Sequence, residues 1–174
     1  NFALPELQRE SRFADLLILG SEKFYHNIPG ENPFRFLLDA LKETECPILV
    51  VPEEVDFPAK NILTYDGSEL SVFAIKQFVY LFPELCSHAT TVLYLKNDNE
   101  SLLPHETELK EFVQQHFKEV QFLKLNIDPT KDFSKWITGK TSVMLVGGSF
   151  GRSSFSQLFK KSFLQDVIAD HKLP

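Results

Sequence analysis

The sequence is short of cysteine, glycine and long apolar runs, and each shortage removes a class of protein. Two cysteines stand in 174 residues, Cys46 and Cys86, far apart and without CxxC or metal-ligand spacing. Neither a disulfide-built scaffold nor a zinc ribbon is expected, and both read as reduced, structural thiols. The five histidines, His26, His88, His105, His116 and His171, are equally dispersed and mark no zinc site. No apolar run approaches the roughly 20 residues that span a bilayer, and nothing at the start resembles a cleavable signal. Cytoplasm is the expected compartment. Positive charge is not in excess: 18 Lys and Arg against 24 Asp and Glu leave a formal charge of −6. That balance argues against the concentrated positive field that duplex DNA or anionic membranes select, so no nucleic acid and no membrane is expected as a partner. With only seven glycines and 43% hydrophobic residues, the chain is globular, able to bury the core of one domain, or of one domain and part of another.

Six short apolar or alternating runs read as strands: DLLILG (15–20), PILVVP (47–52), NILTYD (61–66), TTVLYLK (90–96), VQFLKLNI (120–127) and SVMLVGG (142–148). Helical patterns lie between most of them. SELSVFAIKQFVYLFPEL (68–85) has Ser68 as N-cap and apolar residues at 70, 73, 74, 78, 81 and 82. HETELKEFVQQHFKEV (105–120) places Leu109, Phe112, Val113 and Phe117 on one face. Strands alternating with helices make βαβ units, and therefore an α/β fold with a parallel sheet covered on both faces. The 17 phenylalanines include Phe73, Phe78, Phe82, Phe112 and Phe117 at helical spacing, which predicts core or interface rather than a base-stacking platform.

The chain also repeats itself. ADLLILGSEKF (14–24) aligns with SVMLVGGSFGR (142–152), setting Gly20 against Gly148 and Ser21 against Ser149, and a helical stretch then runs to Pro47 in one copy and to Pro174 in the other. After Pro47 comes the strand ILVV; after Pro174 the sequence given stops, so a matching strand is expected beyond it, and opening strands before the first copy. Residues 1–55 are expected to be the end of a first repeat and residues 56–174 most of a second, with VPEEVDFPAK (51–60) as the linker.

The richest motif is VGGSFGRSSFSQLFKKSF (146–163), which holds two chemistries. Gly147, Ser149 and Gly151 spell the G-x-S-x-G of a hydrolase nucleophile elbow. An elbow serine needs a histidine and an acid on later strands, whereas the residues after Ser149 read mostly as one helix and cannot easily bring Asp166, Asp170 or His171 back over the sheet. The alternative is an anion cradle: a strand ending in glycines, then small hydroxyl residues opening a helix, with backbone N–H groups converging near the positive end of the helix dipole. The loop expected opposite is YDGSEL (65–70), an aspartate at a strand end, a glycine turn and a serine cap. Adjacent strand ends of this kind form the crevice in which open parallel sheets hold nucleotides; as a local motif, Asp66-Gly67-Ser68 is equally an ordinary turn and cap. WITGKTS (136–142) echoes a phosphate loop but sits before a strand, without the motif's earlier glycine.

NILTYDGSELSVFAIKQF opening a repeat and VMLVGGSFGRSSFSQLFKKS closing it resemble the universal stress protein family over nearly the whole chain. The resemblance implies a flavodoxin- or Rossmann-like sheet with helices on both faces, and a G-x2-G-x9-G-S/T motif after the fourth strand in ATP-binding members. Here Gly148 and Gly151 match the first two glycines and Ser162 the final hydroxyl residue, while Lys161 stands where the third glycine is expected. The resemblance makes Asp66, with Gly67 and Ser68, the nucleoside side of a site for ATP or AMP, and Gly148, Ser149, Gly151 and Ser162 its phosphate cradle. Lys161 either crowds the approach or neutralises a phosphate as a point charge. In the first repeat Lys23 replaces the second glycine, Glu22 adds negative charge, and Phe34 and Arg35 fall where Lys161 and Ser162 sit; that half is expected to have lost the site. The family commonly pairs copies through the last strand of each repeat, which implies self-association as a pseudo-dimer or homodimer.

Two functions are thus expected in order of preference: a stress-response protein with a nucleotide-gated interaction, then a nucleotide-free scaffold. No enzyme is expected beyond weak ATP hydrolysis, since no paired carboxylates, nucleophile–base pair or metal cluster can be placed. The remote third, a hydrolase using Ser149, makes a separate prediction. A fluorophosphonate probe should leave Ser149 unlabelled, and stoichiometric labelling detected by mass spectrometry would restore the elbow.

Overall fold

A computed structural model of the chain describes residues 3–20, 33–52, 56–95, 102–126, 133–137 and 139–148. The elements run α1 (Ala3–Ser11), β1 (Leu17–Gly20), α2 (Pro33–Glu43), β2 (Ile48–Val51), β3 (Lys60–Tyr65), α3 (Glu69–Leu81), β4 (Ala89–Leu95), α4 (Glu106–His116), β5 (Val120–Leu125), α5 (Phe133–Ile137) and β6 (Val143–Val146). Each of the six predicted strand segments forms a strand. Among the described residues β1 and β2 form one parallel pair, and the other four form a parallel sheet in the order β5-β4-β3-β6. The α/β reading therefore holds.

Strand alternation splits the larger sheet's side chains between two cores. Leu63, Tyr65, Val92, Tyr94, Met144 and Val146 face Ile75 and Phe78 of α3 and Leu109 and Val113 of α4. Ile62, Leu93 and Val143 belong to a second cluster with Phe133 and Ile137 of α5. Both faces are thus covered by helices, as strands this apolar require. Each fully buried aliphatic side chain contributes about 1.5–3 kcal/mol, and the two inner strands, β3 and β4, each flanked on both sides, carry Leu63, Val92 and Leu93 among them. Leu49 of β2 packs against the larger core as well.

Both helices paired with that core end earlier than their periodicity predicts. The 68–85 pattern breaks at Phe82, whose φ of −130° and ψ of 55° leave the helical region, because Pro83 lacks an N–H and crowds the residue before it. A 3-10 turn, Pro83–Ser87, follows. The 105–120 pattern stops at His116, and Phe117 turns extended while its ring stays buried and stacks 6.2 Å from Phe78. The phase of α3 also differs from expectation: Ile75 is fully buried, whereas Phe73 is 54% exposed. Leu70, Val72, Phe73, Ala74 and Ile75 make that helix apolar almost all round, so periodicity cannot choose its inner face.

The amino end of the sheet is tied by polar groups. Asn61, 1% exposed, donates through Nδ2 to the Leu85 carbonyl at 2.8 Å and to Thr90 Oγ1 at 2.9 Å; the Thr90 hydroxyl in turn donates to the His88 carbonyl at 2.9 Å. One amide thereby fastens β3 to the 3-10 turn and to β4. Elsewhere Arg12 meets Glu45 through two 2.7 Å contacts at the surface, joining the end of α1 to the turn before β2. Asn61→Ala removes two buried hydrogen bonds and should lower stability by about 2 kcal/mol, read as an earlier midpoint in urea with an unchanged slope.

Candidate functional site

The strand order reverses at β3: the chain steps from β3 to β4 and β5 on one side, then returns to β6 on the other. At such a reversal open parallel sheets hold ligands at the carboxyl ends of the strands, so the ends of β3 and β6 are the candidate site. Pairing ends at Leu63 opposite Val146. One residue further on, the buried Thr64 hydroxyl donates to the Val146 carbonyl at 2.9 Å, holding the two strands together where their backbones part.

From this point the β3 side is built by short-range chemistry. Asp66 Oδ1 accepts the Ser68 N–H at 2.9 Å, the turn that an aspartate before glycine favours. Gly67 has φ of +83°, a left-handed conformation that glycine adopts without penalty. Ser68 caps α3: its Oγ accepts the Ser71 N–H at 3.2 Å, and Ser71 Oγ donates back to the Ser68 carbonyl at 2.8 Å. Glu69 adds a carboxylate to the first turn, the sign the helix dipole prefers. The local turn-and-cap chemistry readable in Asp66-Gly67-Ser68 is thus realised.

Gly148 supplies the β6 side. A Cβ on this residue would lie 2.6 Å from the Leu70 carbonyl carbon, 2.7 Å from its oxygen and 2.9 Å from the Ser71 nitrogen. The first turn of α3 leaves no room for any side chain there. Gly67 is constrained twice over, because its own Cβ would meet Pro104 at 2.8 and 2.9 Å. The fold thus sets Gly148 against the first turn of the helix that Asp66, Gly67 and Ser68 open; Ser149, Gly151, Lys161 and Ser162 lie outside the described residues, as do Glu22 and Lys23 of the first repeat.

Three residues of this rim had no role in the sequence reading. Thr64 spans β3 and β6, and Tyr65 donates its phenol to the Pro104 carbonyl at 2.7 Å. Burial, then the charges of Asp66 and Glu108, hold the Tyr65 phenol above its ordinary pKa, so it remains a donor. The signal for Pro104 lay in Gly67, whose glycine answers to a neighbour as well as to a turn.

Other candidates separate from this site. Burial raises the pKa of Cys46 and of Cys86 and both are free thiols, which makes them poor nucleophiles. GKT of WITGKTS ends a helix instead of opening one: Gly139 has φ of +80°, the Lys140 N–H bonds the Ile137 carbonyl, and Lys140 Nζ lies 4.3 Å from the centre of the Trp136 ring. Among the described residues no three His, Cys, Asp or Glu cluster as metal ligands, and no helix is long and apolar enough to cross a membrane.

Gly148→Ala should destabilise the protein by about 2 kcal/mol, because the obstructing atoms are backbone and cannot rotate away. Gly67→Ala should cost about 1–3 kcal/mol through strain at positive φ. Thermal unfolding of both variants checks these values, and Gly139→Ala provides the contrast, having φ of +80° but nothing within 4 Å.

The sequence matches no protein-family model and no curated protein. Among solved structures, the chain is similar to a universal stress protein from Archaeoglobus fulgidus DSM 4304, with a TM-score of 0.61 and 14% sequence identity. The similarity covers 98% of this chain and 62% of that one, so the chain spans about three-fifths of its neighbour's length. At this identity the likeness is one of fold, and the fold is that of a universal stress protein.

Proposed function

We propose that the chain is a stress-response protein that acts by binding: an adenine nucleotide, ATP or AMP, binds where the ends of β3 and β6 part, and its presence changes which partner the protein engages. The observation that supports this reading is the packing of Gly148 on the first turn of α3, the helix that Asp66-Gly67-Ser68 opens, where the strand order reverses. A strand-end carboxylate and a capped helix start lie near Gly148, the residue from which the glycine motif continues in the sequence, a combination that open parallel sheets use for nucleotides. In this reading Asp66 contacts the nucleoside, and the residues after Gly148 (Ser149, Gly151, Lys161 and Ser162) hold phosphate. Residues 1–55 are the end of a first repeat that has lost its own site and is kept as a packing partner; Leu49 against the larger core is consistent with that. Self-association runs through the edge strands, the compartment is the cytoplasm, and no catalytic residue is assigned.

One observation favours a second reading, a nucleotide-free scaffold. Asp66 Oδ1 and Ser68 Oγ are both already engaged, in the turn and in the cap. A ligand would then rely on the remaining polar groups and on the glycine loop, so Lys161 carries the decision.

Calorimetry on the natural chain with AMP and with ATP should give a saturable heat at millimolar ligand or below. Absence of heat with both removes the nucleotide. Lys161→Gly separates the readings further: if it confers ATP binding on a protein previously blind to it, the natural lysine has closed the site and the scaffold reading stands.

A further inference from the structure

We propose that Tyr65 is a positioning residue, whose hydroxyl fixes residues 103–105 as a wall beside Asp66 on the β4 side, and that this wall holds the nucleoside end of the ligand against Asp66. The second half rests on the nucleotide reading; the first does not. Tyr65 closes β3 immediately before Asp66 and is 1% exposed, its ring tilted against Tyr94 at 6.5 Å. Its 2.7 Å bond to the Pro104 carbonyl crosses from the end of β3 to the segment that follows β4.

Each neighbouring residue of that segment is held by something different. Leu103 packs on the larger core. Pro104 lies against Gly67, close enough to exclude a Cβ there. His105 takes a left-handed φ of 50° and caps α4 without a side-chain hydrogen bond, while its carbonyl accepts the Leu109 N–H at 2.9 Å. An unfavourable backbone conformation in a non-glycine residue persists only when its surroundings hold it, and the phenol-to-carbonyl bond anchors the adjoining peptide. Leu102, 85% exposed, is left as an apolar tip beside this anchored stretch. Gly67 and Tyr65 thus act together: the glycine admits Pro104 and the phenol holds it.

Tyr65→Phe keeps the buried ring and deletes the bond. In the full chain without ligand, NMR-detected amide exchange at Leu109 and its neighbours in the first turn of α4 should quicken roughly fivefold, while Leu63 and Val92 in the strands keep their rates. No change in that turn, or the same acceleration everywhere, overturns the wall. With ligand, the variant should lose affinity for AMP and ATP by the same factor, because both carry the same nucleoside; a loss confined to ATP overturns the assignment to the nucleoside end. Natural protein that binds neither nucleotide sinks the ligand half together with the nucleotide reading, and the exchange comparison still decides the wall.

Discussion

The end of β6 meets the first turn of α3 backbone to backbone, and the candidate site depends on that contact. The sheet order sets β6 beside β3, and α3 springs from the end of β3, so the chain leaving β6 has to pass the start of the helix. It can do so without disturbing the Ser68 cap only if the passing residue lacks a side chain, since a Cβ on Gly148 would lie 2.6 Å from a backbone carbon of α3. A side chain would push the β6 exit away from the helix start and strain the Thr64–Val146 bond that marks the strands' divergence. Burial fixes the strands, and one missing methyl group fixes how their ends meet.

The polar groups at and beneath the candidate site also build the fold. The Asp66 carboxylate shapes the turn, the Ser68 hydroxyl caps the helix, and the Tyr65 phenol ties down Pro104. Groups fastened in this way are positioned before anything binds, which lowers the ordering cost of binding. The same fastening leaves Asp66 Oδ1 and Ser68 Oγ already engaged within the fold.

Much of this was legible in the sequence, for reasons that differ between elements. Buried parallel strands are short continuous apolar runs, so NILTY and TTVLYL announced themselves by composition. Ser68 as a cap and Gly67 as a turn were readable because their chemistry acts within a few residues. The inner face of α3 was not: with apolar residues on every side, only the packing of Ile75 and Phe78 under the sheet decides it, and Phe73 was left outward. Helix ends were overrun because Phe82 and Phe117 continue the apolar rhythm after the backbone has turned away, one obliged by Pro83, the other to reach β5. The clamp from Tyr65 to Pro104 was invisible because its partners are 39 residues apart, a separation no local pattern encodes. Ser149, Gly151, Lys161 and Ser162 remain readings of motif and resemblance.

The proposed nucleotide would lie where the ends of β3 and β6 part. The most direct measurement is a titration of ATP and AMP into uniformly ¹⁵N-labelled protein, followed by the backbone amide shifts. The account predicts saturable shifts concentrated at Gly67, Ser68, Glu69 and Gly148. Shifts confined to the opposite end of the sheet, around Asn61 and Thr90, or none at any ligand concentration, would contradict it.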